Sequence, residues 1–352
     1  GTYAPAIRTE ELPACLLCER RGEAFYSNVQ DRMFGTPGVW SFSKCPGCGL
    51  VWLNPRPIRE DIPRCYENFY THDRFVPAET VEIKSRVRLV RETLRELILS
   101  GQFNYPRPEM DRWWTKAAGK ALATLPPLRH RATYGLDVMC PPYIGRGELL
   151  DVGCGNGSYL YAARRLGWKV TGIDIDPVAA RITEESLNIS VIVGALEEAG
   201  FPDASFDVIH MYHLIEHVPD PIRMIRECYR ILRPGGMVII GTNNLGSLVH
   251  WWFKENYAQL DAPHHMFLFT PRTLRKVVER GGLSIVKLLT RGPWAAEIYN
   301  ASWHLRQFGS ADLKAEKLVP GARWFARLEK ILQPAFKNIG DEIVLWAKKL
   351  EQ

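Results

Sequence analysis

The sequence predicts an α/β protein: a parallel sheet with helices on both faces, a small N-terminal cysteine ribbon and helical insertions. Three observations carry this. In Gly147 to Tyr159 (GELLDVGCGNGSY) an apolar run, Leu149 to Val152, enters a turn with glycines at 153, 155 and 157, and a helical pattern follows. Strand-like and helix-like stretches then alternate, with short loops, as far as Thr242. Far upstream, Cys15 pairs with Cys18 and Cys45 with Cys48 at C-x2-C spacing.

The 352 residues allow two domains or one enlarged domain, and 46% hydrophobic residues suffice for a large core. A net charge of +6, spread along the chain, suits anionic small molecules at most. No apolar run approaches the roughly 20 residues of a membrane span and no signal-peptide pattern opens the chain, so a soluble, cytoplasmic protein is expected. Of eight cysteines, Cys65, Cys140, Cys154 and Cys228 stand outside the two pairs. In a reducing compartment that pattern predicts metal binding by the pairs, burial of the rest and no disulfides.

The pairs are separated by 26 residues, and Gly49 follows the second. Four thiolates can surround Zn2+ tetrahedrally and fold a segment too small to hold a core, so Cys15, Cys18, Cys45 and Cys48 are read as structural zinc ligands in a module of residues 1–58. The apolar and aromatic residues between the pairs suit short strands. Its cations, Arg20, Arg21, Arg32 and Lys44, are mixed with acids, which speaks against nucleic acid.

Residues 59–147 carry no sharp chemical motif and read as a helical connector or lid. Thr80 to Ser100 has apolar residues at helical spacing, and Trp113-Trp114 reads as core rather than as a stacking platform.

The main domain is placed at 148–352. After the glycine turn comes a helix from Tyr159 to Leu166, then a strand from Trp168 to Asp174. Asp174 lies 17 residues past Gly157, where a carboxylate at the second strand's tip accepts both hydroxyls of a ribose. Asp176-Pro177 opens the next helix. Further strands are expected at Ser190 to Val193, at Phe206 to His210, and at Met237 to Thr242, which is entered through Arg233-Pro234-Gly235-Gly236. An insertion at 246–270 contains Trp251, Trp252, Phe253 and Tyr257 and reads as a pocket cap. Its alternatives are a dimer contact or a membrane-surface patch. A helix at Thr273 to Arg280, a strand at Leu283 to Leu289, a helical insertion at 295–338 and a last strand at Asp341 to Trp346 complete the chain.

LLDVGCGNG, GIDIDP, FPDASFDVI, LIEHV and LRPGG, in this order, resemble the class I S-adenosylmethionine-dependent methyltransferases. The resemblance implies a Rossmann-like seven-stranded sheet whose last strand lies antiparallel between the fifth and sixth. It implies that Asp151, Gly153 and Gly155 line the methionine end of the cofactor and that Asp174, with Ile175, meets the ribose side. Ala195 and Leu196 would then meet the adenine, and His210 and Met211 the sulfonium. The cysteine pairs ahead of the core and Leu260-Asp261-Ala262-Pro263-His264-His265 behind it are similar to bacterial polysaccharide and deoxysugar methyltransferases. Pro263-His264-His265 and Thr242-Asn243-Asn244 depart from the commoner Pro-Arg-His and Thr-Pro-Asn.

Methyl transfer to a hydroxyl or carbon acid needs alignment and a base. The candidates are His217 first, then His265, with His264, His213 and Glu216 beside them. His217 has an alternative role as an anchor between its helix and the loop. His213, Glu216 and His217 also spell H-x-x-E-H, which on a helix would share one face as in inverted zinc hydrolases. Placement at a cofactor-facing strand tip argues against that. Ubiquinone-pathway O-methyltransferases resemble this segment and can hold a divalent ion there with acidic ligands, where this chain has His213. The expected activity is methyl transfer from S-adenosylmethionine to a sugar, nucleotide sugar or glycosylated small molecule. The alternatives are a natural-product O-methyltransferase and a zinc-module scaffold that retains cofactor.

Overall fold

The computed structural model describes residues 7–66, 75, 86–311 and 317–351. The ribbon strands are β1 (Thr9–Glu10), β2 (Glu23–Val29), β3 (Trp40–Lys44), β4 (Val51–Leu53) and β5 (Arg56–Pro57). The main strands are β6 (Glu148–Val152), β7 (Lys169–Asp174), β8 (Val191–Val193), β9 (Phe206–Tyr212) and β10 (Leu232–Asn243), followed by β11 (Phe267–Leu268), β12 (Ser284–Arg291) and β13 (Glu342–Lys348). Seven of them form one sheet in the order β12-β13-β10-β9-β6-β7-β8.

β6 pairs in parallel with β7 and with β9, and β7 with β8. Chain order therefore reverses between β6 and β9, the position where sheets of this kind bind ligands beyond their strand ends. The last strand runs the other way: Gly235 N bonds Lys349 O at one end of the β10–β13 pair, and Asn244 N bonds Asp341 O at the other. The seven strands, with the last antiparallel between fifth and sixth, are those the resemblance implied. Strand ends differ from the sequence reading by a few residues. The largest difference is in β10, which starts at Leu232 because the Arg233 to Gly236 stretch is itself paired to the chain end.

The helices are α1 (Ile62–Cys65), α2 (Arg86–Phe103), α3 (Trp113–Ala123), α4 (Pro126–Ala132), α5 (Ser158–Leu166), α6 (Pro177–Leu187) and α7 (Pro221–Ile231). α8 (Leu248–Phe253), α9 (Pro271–Arg280), α10 (Ala295–Phe308) and α11 (Ala322–Leu332) follow. The predicted helix at Thr80 to Ser100 is present from Arg86, and its first residues lie outside the described ones. Trp113 and Trp114 are exposed rather than core. α3 turns Thr115, Gly119 and Ala123 inward instead, and a Cβ on Gly119 would stand 1.9 Å from Leu97 O, so this helix pair is too close for an indole. Among the described residues no helix is long and apolar enough to cross a membrane.

The chain divides into two compact units. One holds residues 1–70, 212–229 and 240–347, the other 71–211, 230–239 and 348–352. In the second unit, Cys154, Leu160, Ala180, Leu187, Ile189 and Val191 form a core under the glycine turn. In the first, ribbon residues Trp40, Phe42, Val51 and Leu53 share a core with Val249, Phe253, Leu260 and Phe325. There β11 completes the ribbon sheet, in the order β11-β4-β3-β2, with Phe267 opposite Trp52.

Candidate active site

In the second unit the glycine turn is built as a cradle. Gly155 takes φ +49 and Gly157 φ +73, where a side chain is strained. A Cβ on Gly157 would meet Thr183 Cγ2 at 2.5 Å, so packing demands that glycine, whereas nothing stands within 4 Å of a Cβ position on Gly155. The space before Gly155 is therefore open to a ligand. Thr183 Oγ1 donates to Gly155 O at 2.8 Å and pins the turn from behind. Asp174 accepts from Gly155 N at 2.8 Å and from Asp176 N at 2.9 Å, which aims its carboxylate across the mouth of the turn. Burial raises its pKa. Asp176 caps α6 by accepting from Val178 N, leaving Asp174 for another task. Ile175, 58% exposed beside Asp174, offers an apolar face suited to a nucleoside. The open glycine, the Asp174 carboxylate at the strand tip and the exposed Ile175 stand together at this turn, chemistry that fits S-adenosylmethionine.

Four predicted cofactor residues, Asp151, His210, Met211 and Leu196, have buried side chains. Register sets Asp151 level with His210, and His210 Nδ1 lies 2.7 Å from Asp151 Oδ1. The His210 ring stacks on Tyr159 at 3.4 Å between centroids, and both members of the acid–imidazole pair are buried. Asp151 thus spends one oxygen on His210 inside the sheet. Met211 and Leu196 are buried as well, while Gly153 lies in the turn and Ala195 is half-buried at the loop.

The first unit holds His213, His217, His264 and His265. The segment after β9 is a turn and not a helix, because His213 sits at φ +50 and its N–H bonds Gly241 O at 2.9 Å. The turn still gathers the expected groups. His213 Nδ1 lies 3.0 Å from Glu216 Oε1, and its Nε2 lies 3.8 Å from Glu342 Oε1. Burial opposes charge on His213, yet the Glu216 bond and the two carboxylates win and raise its pKa. Burial likewise pushes Glu216 up, but the hydrogen bond from His213 and the neighbouring imidazoles hold it down at about 2.

His264 is buried with both nitrogens engaged: Nδ1 at 3.0 Å from Asp261 Oδ1 and Nε2 at 2.8 Å from Cys65 O. A carboxylate and a carbonyl both accept, so His264 carries two protons. Its pKa is raised although desolvation works against the charge. His217 is the opposite case. Its Nδ1 lies 3.0 Å from His264 O and 2.9 Å from Tyr66 Oη, and the carbonyl fixes the proton on Nδ1 and the lone pair on Nε2. Burial first, then His265, lowers its pKa to about 4, so it is neutral at pH 7. His265 gives its Nδ1 proton to Gln259 O at 2.9 Å, and its ring meets that of His217 at 4.7 Å. Three environments thus favour the charged form of His213 and of His264 and the neutral form of His217.

Beside them a small pocket is lined by Glu216, Thr242, Asn243, Gln259 and His265 together with apolar side chains. Asn243 Nδ2 donates to Gln259 Oε1 at 2.9 Å, and Glu216 Oε2 is buried with no hydrogen-bond partner among the described residues. Glu216, His217 and His265 also bring donor atoms within 4.8 Å of one another, close enough to share a cation. The sequence reading missed Asp261, Gln259, Asn243 and Tyr66. Asp261 was visible as an acid three and four residues before the two histidines, but Tyr66 is 151 residues from His217 and carried no signal.

In the ribbon, Cys15 Sγ lies 3.4 Å from Cys48 Sγ and Cys18 Sγ 3.2 Å from Cys45 Sγ, with all four within 4.8 Å. Tetrahedral Zn–S bonds of about 2.3 Å place sulfurs roughly 3.8 Å apart, so the four thiols fit one ion.

The reversed sheet and the open glycine cradle define a class I S-adenosylmethionine-dependent methyltransferase. The chain belongs to the family described as "Methyltransferase domain", whose profile matches residues 112–288, half of its length. It is 34% identical over 156 residues to the ubiquinone biosynthesis O-methyltransferase of Xanthomonas campestris pv. campestris (strain B100), covering 40% of this chain and 63% of that one. The corresponding enzyme of Albidiferax ferrireducens is 34% identical over 145 residues, 38% of this chain and 54% of that one. The match thus spans less than two thirds of these relatives. Among solved structures, the complex of the Haloferax volcanii Trm112 methyltransferase activator with a putative methyltransferase gives a TM-score of 0.45 at 19% identity, covering 67% of this chain and 96% of that one. A methyltransferase from Archaeoglobus fulgidus gives 0.44 at 21% identity, with 63% and 94% coverage.

Proposed function

We propose that the chain methylates a hydroxyl or carbon acid of a sugar, nucleotide sugar or glycosylated small molecule, with His217 taking the departing proton. The observation that carries this reading is the separation of charge among the histidines. A base must be neutral and present a lone pair, and His217 meets both conditions because His264 O holds its Nδ1 proton. S-adenosylmethionine, when bound, supplies the electrophilic methyl group. Asp174 and Ile175 hold its nucleoside and Gly155 admits its chain, while Asp151 and His210 set the floor. His264 acts through its carbonyl and His265 through its ring, and neither takes the proton itself. Asn243, Gln259 and Glu216 set amide and carboxylate groups beside His265, hydrogen-bonding chemistry that suits an acceptor bearing hydroxyls. The relatives named for ubiquinone biosynthesis favour a second reading, an O-methyltransferase of another small molecule.

Cys15, Cys18, Cys45 and Cys48 hold structural Zn2+ in this reading, residues 1–58 form the ribbon, 59–147 the connector and 148–352 the methyltransferase domain. The test is incubation with S-adenosylmethionine and a pool of nucleotide sugars, following S-adenosylhomocysteine release. His217→Ala lowers turnover by about 10^2 to 10^4 with unchanged cofactor affinity. Turnover with phenols alone, or full activity in that variant, refutes the reading.

A further inference from the structure

The outer faces of α8 and α11 carry large apolar side chains that the fold leaves in solvent. Their inner faces are ordinary core: Ala322, Phe325 and Glu329 of α11 point inward, as do Val249 and Phe253 of α8. The outer faces are not ordinary. Trp251 is 62% exposed, Trp252 51%, Trp324 65% and Ile331 73%. The two helices adjoin here, since the Trp252 ring stands edge-on to Phe325 at 6.2 Å and Trp324 is the next residue back along α11. Three exposed tryptophans on two adjoining helices thus present apolar surface that folding itself does not use.

Charge says what covers the patch. Trp324, Arg327 and Ile331 follow at helical spacing along one side of α11, flanked by Arg323 and Lys330, and all five are exposed. The one acid of this helix, Glu329, is turned inward and buried. The outward charge of α11 is therefore three cations and no anion. Lys254 extends this pattern on the α8 side, with its Nζ 5.7 Å from the Trp251 ring centroid, while Glu255 beside it is the exposed acid of that edge. Indoles with an apolar body and a polar N–H, bordered by arginine and lysine, match the boundary between lipid headgroups and acyl chains. A neutral protein surface would need no such excess of cations, whereas anionic lipid does.

We propose that the α8–α11 face docks this enzyme on the surface of a bilayer bearing anionic headgroups, with Trp251, Trp252 and Trp324 entering the interface and Arg323, Arg327 and Lys330 meeting lipid phosphate. Docking goes beyond the methyl-transfer reading and does not depend on it. A catalyst held there would meet acceptors carried on lipid.

The test is co-sedimentation of the full chain with vesicles of phosphatidylcholine alone and of phosphatidylcholine with about 30% phosphatidylglycerol. The expected result is binding to the anionic vesicles that weakens as salt rises. Arg323→Gln/Arg327→Gln/Lys330→Gln lowers the partition coefficient about a hundredfold, from roughly 1 kcal/mol for each cation. Trp251→Ser/Trp324→Ser lowers it by about tenfold or more on both vesicle types. Melting temperature and S-adenosylhomocysteine affinity stay unchanged in both variants, which separates lost docking from lost folding. Absence of binding to anionic vesicles, or equal binding by wild type and the charge variant, overturns the proposal. So does a dimer in light scattering that Trp324→Ser dissociates, because that result gives the face to a second copy of the chain.

Discussion

Replacing Asp261 by Asn is the sharpest test of the histidine arrangement. The carboxylate is buried, 3.0 Å from His264 Nδ1 and 3.7 Å from His265 Nε2, and its own pKa is lowered: burial opposes the charge but His264 and His265 outweigh it. The substitution keeps the shape and removes the charge, leaving a buried imidazolium whose counter-ion has gone. Breaking such a pair costs about 3 to 5 kcal/mol. At about 2 to 4 °C per kcal/mol for a unit of this size, the melting temperature falls by roughly 6 to 20 °C. The loss depends on pH in a defined way. His264, with a raised folded pKa, contributes stability that is complete below its unfolded value of about 6.5 and is lost as pH rises through the folded value. Asp261, with a depressed pKa, contributes above about 3.9 and loses its contribution as pH falls through the folded value. The gap between wild type and Asp261→Asn is therefore widest between about pH 4 and 6.5 and narrows on the alkaline side. Melting curves by calorimetry from pH 4 to 9 measure it. A gap that is flat from pH 5.5 to 9, or below about 1 kcal/mol throughout, refutes the charged His264–Asp261 pair.

Two further outcomes are expected. Cys45→Ser removes one of four thiolates, so the purified chain should carry well below one zinc per molecule by elemental analysis and melt several degrees lower; an unchanged metal content contradicts the zinc reading. Glu329, buried and with its pKa pushed up to about 7, is protonated more readily folded than unfolded, so it lowers stability as pH rises from about 4.5 to 7. Glu329→Gln should then stabilise the protein by roughly 3 kcal/mol at pH 8 and by little at pH 4.5 in melting experiments, and equal effects at both would exclude a buried, titrating carboxyl.

The sheet was legible because its signals are local: glycines in a turn, an acid at a strand tip and proline at a helix start each act within a few residues. The four cysteines were legible because thiolate spacing is itself local. The histidines were legible as a group, but their protonation was not. His217, His264 and His213 look alike in sequence, and only their distances to His264 O, Asp261 and Glu216 tell neutral from charged. What the sequence did not show of His210 is its company, the Asp151 carboxylate and the Tyr159 ring that enclose its imidazole, because those contacts are set by strand register and helix packing. The H-x-x-E-H spacing suggested a helix face, and the positive φ of His213 makes it a turn instead.

The strand Phe267–Leu268 comes two residues after His264-His265 and hydrogen-bonds to ribbon strand β4, with Leu53 N bonded to Met266 O at 2.8 Å. Met266 N in turn bonds Glu216 O at 2.7 Å. One ladder of main-chain bonds thus links the cysteine ribbon, the histidine loop and the turn that carries His217. The ribbon therefore behaves as a splint, and chimeras that exchange it for another enzyme's ribbon must carry the Asp261 to Leu268 loop along with it. Grafting residues 1–58 alone would leave Phe267 and Leu268 facing a foreign strand edge, and the histidines would lose their alignment before the cofactor cradle felt any change.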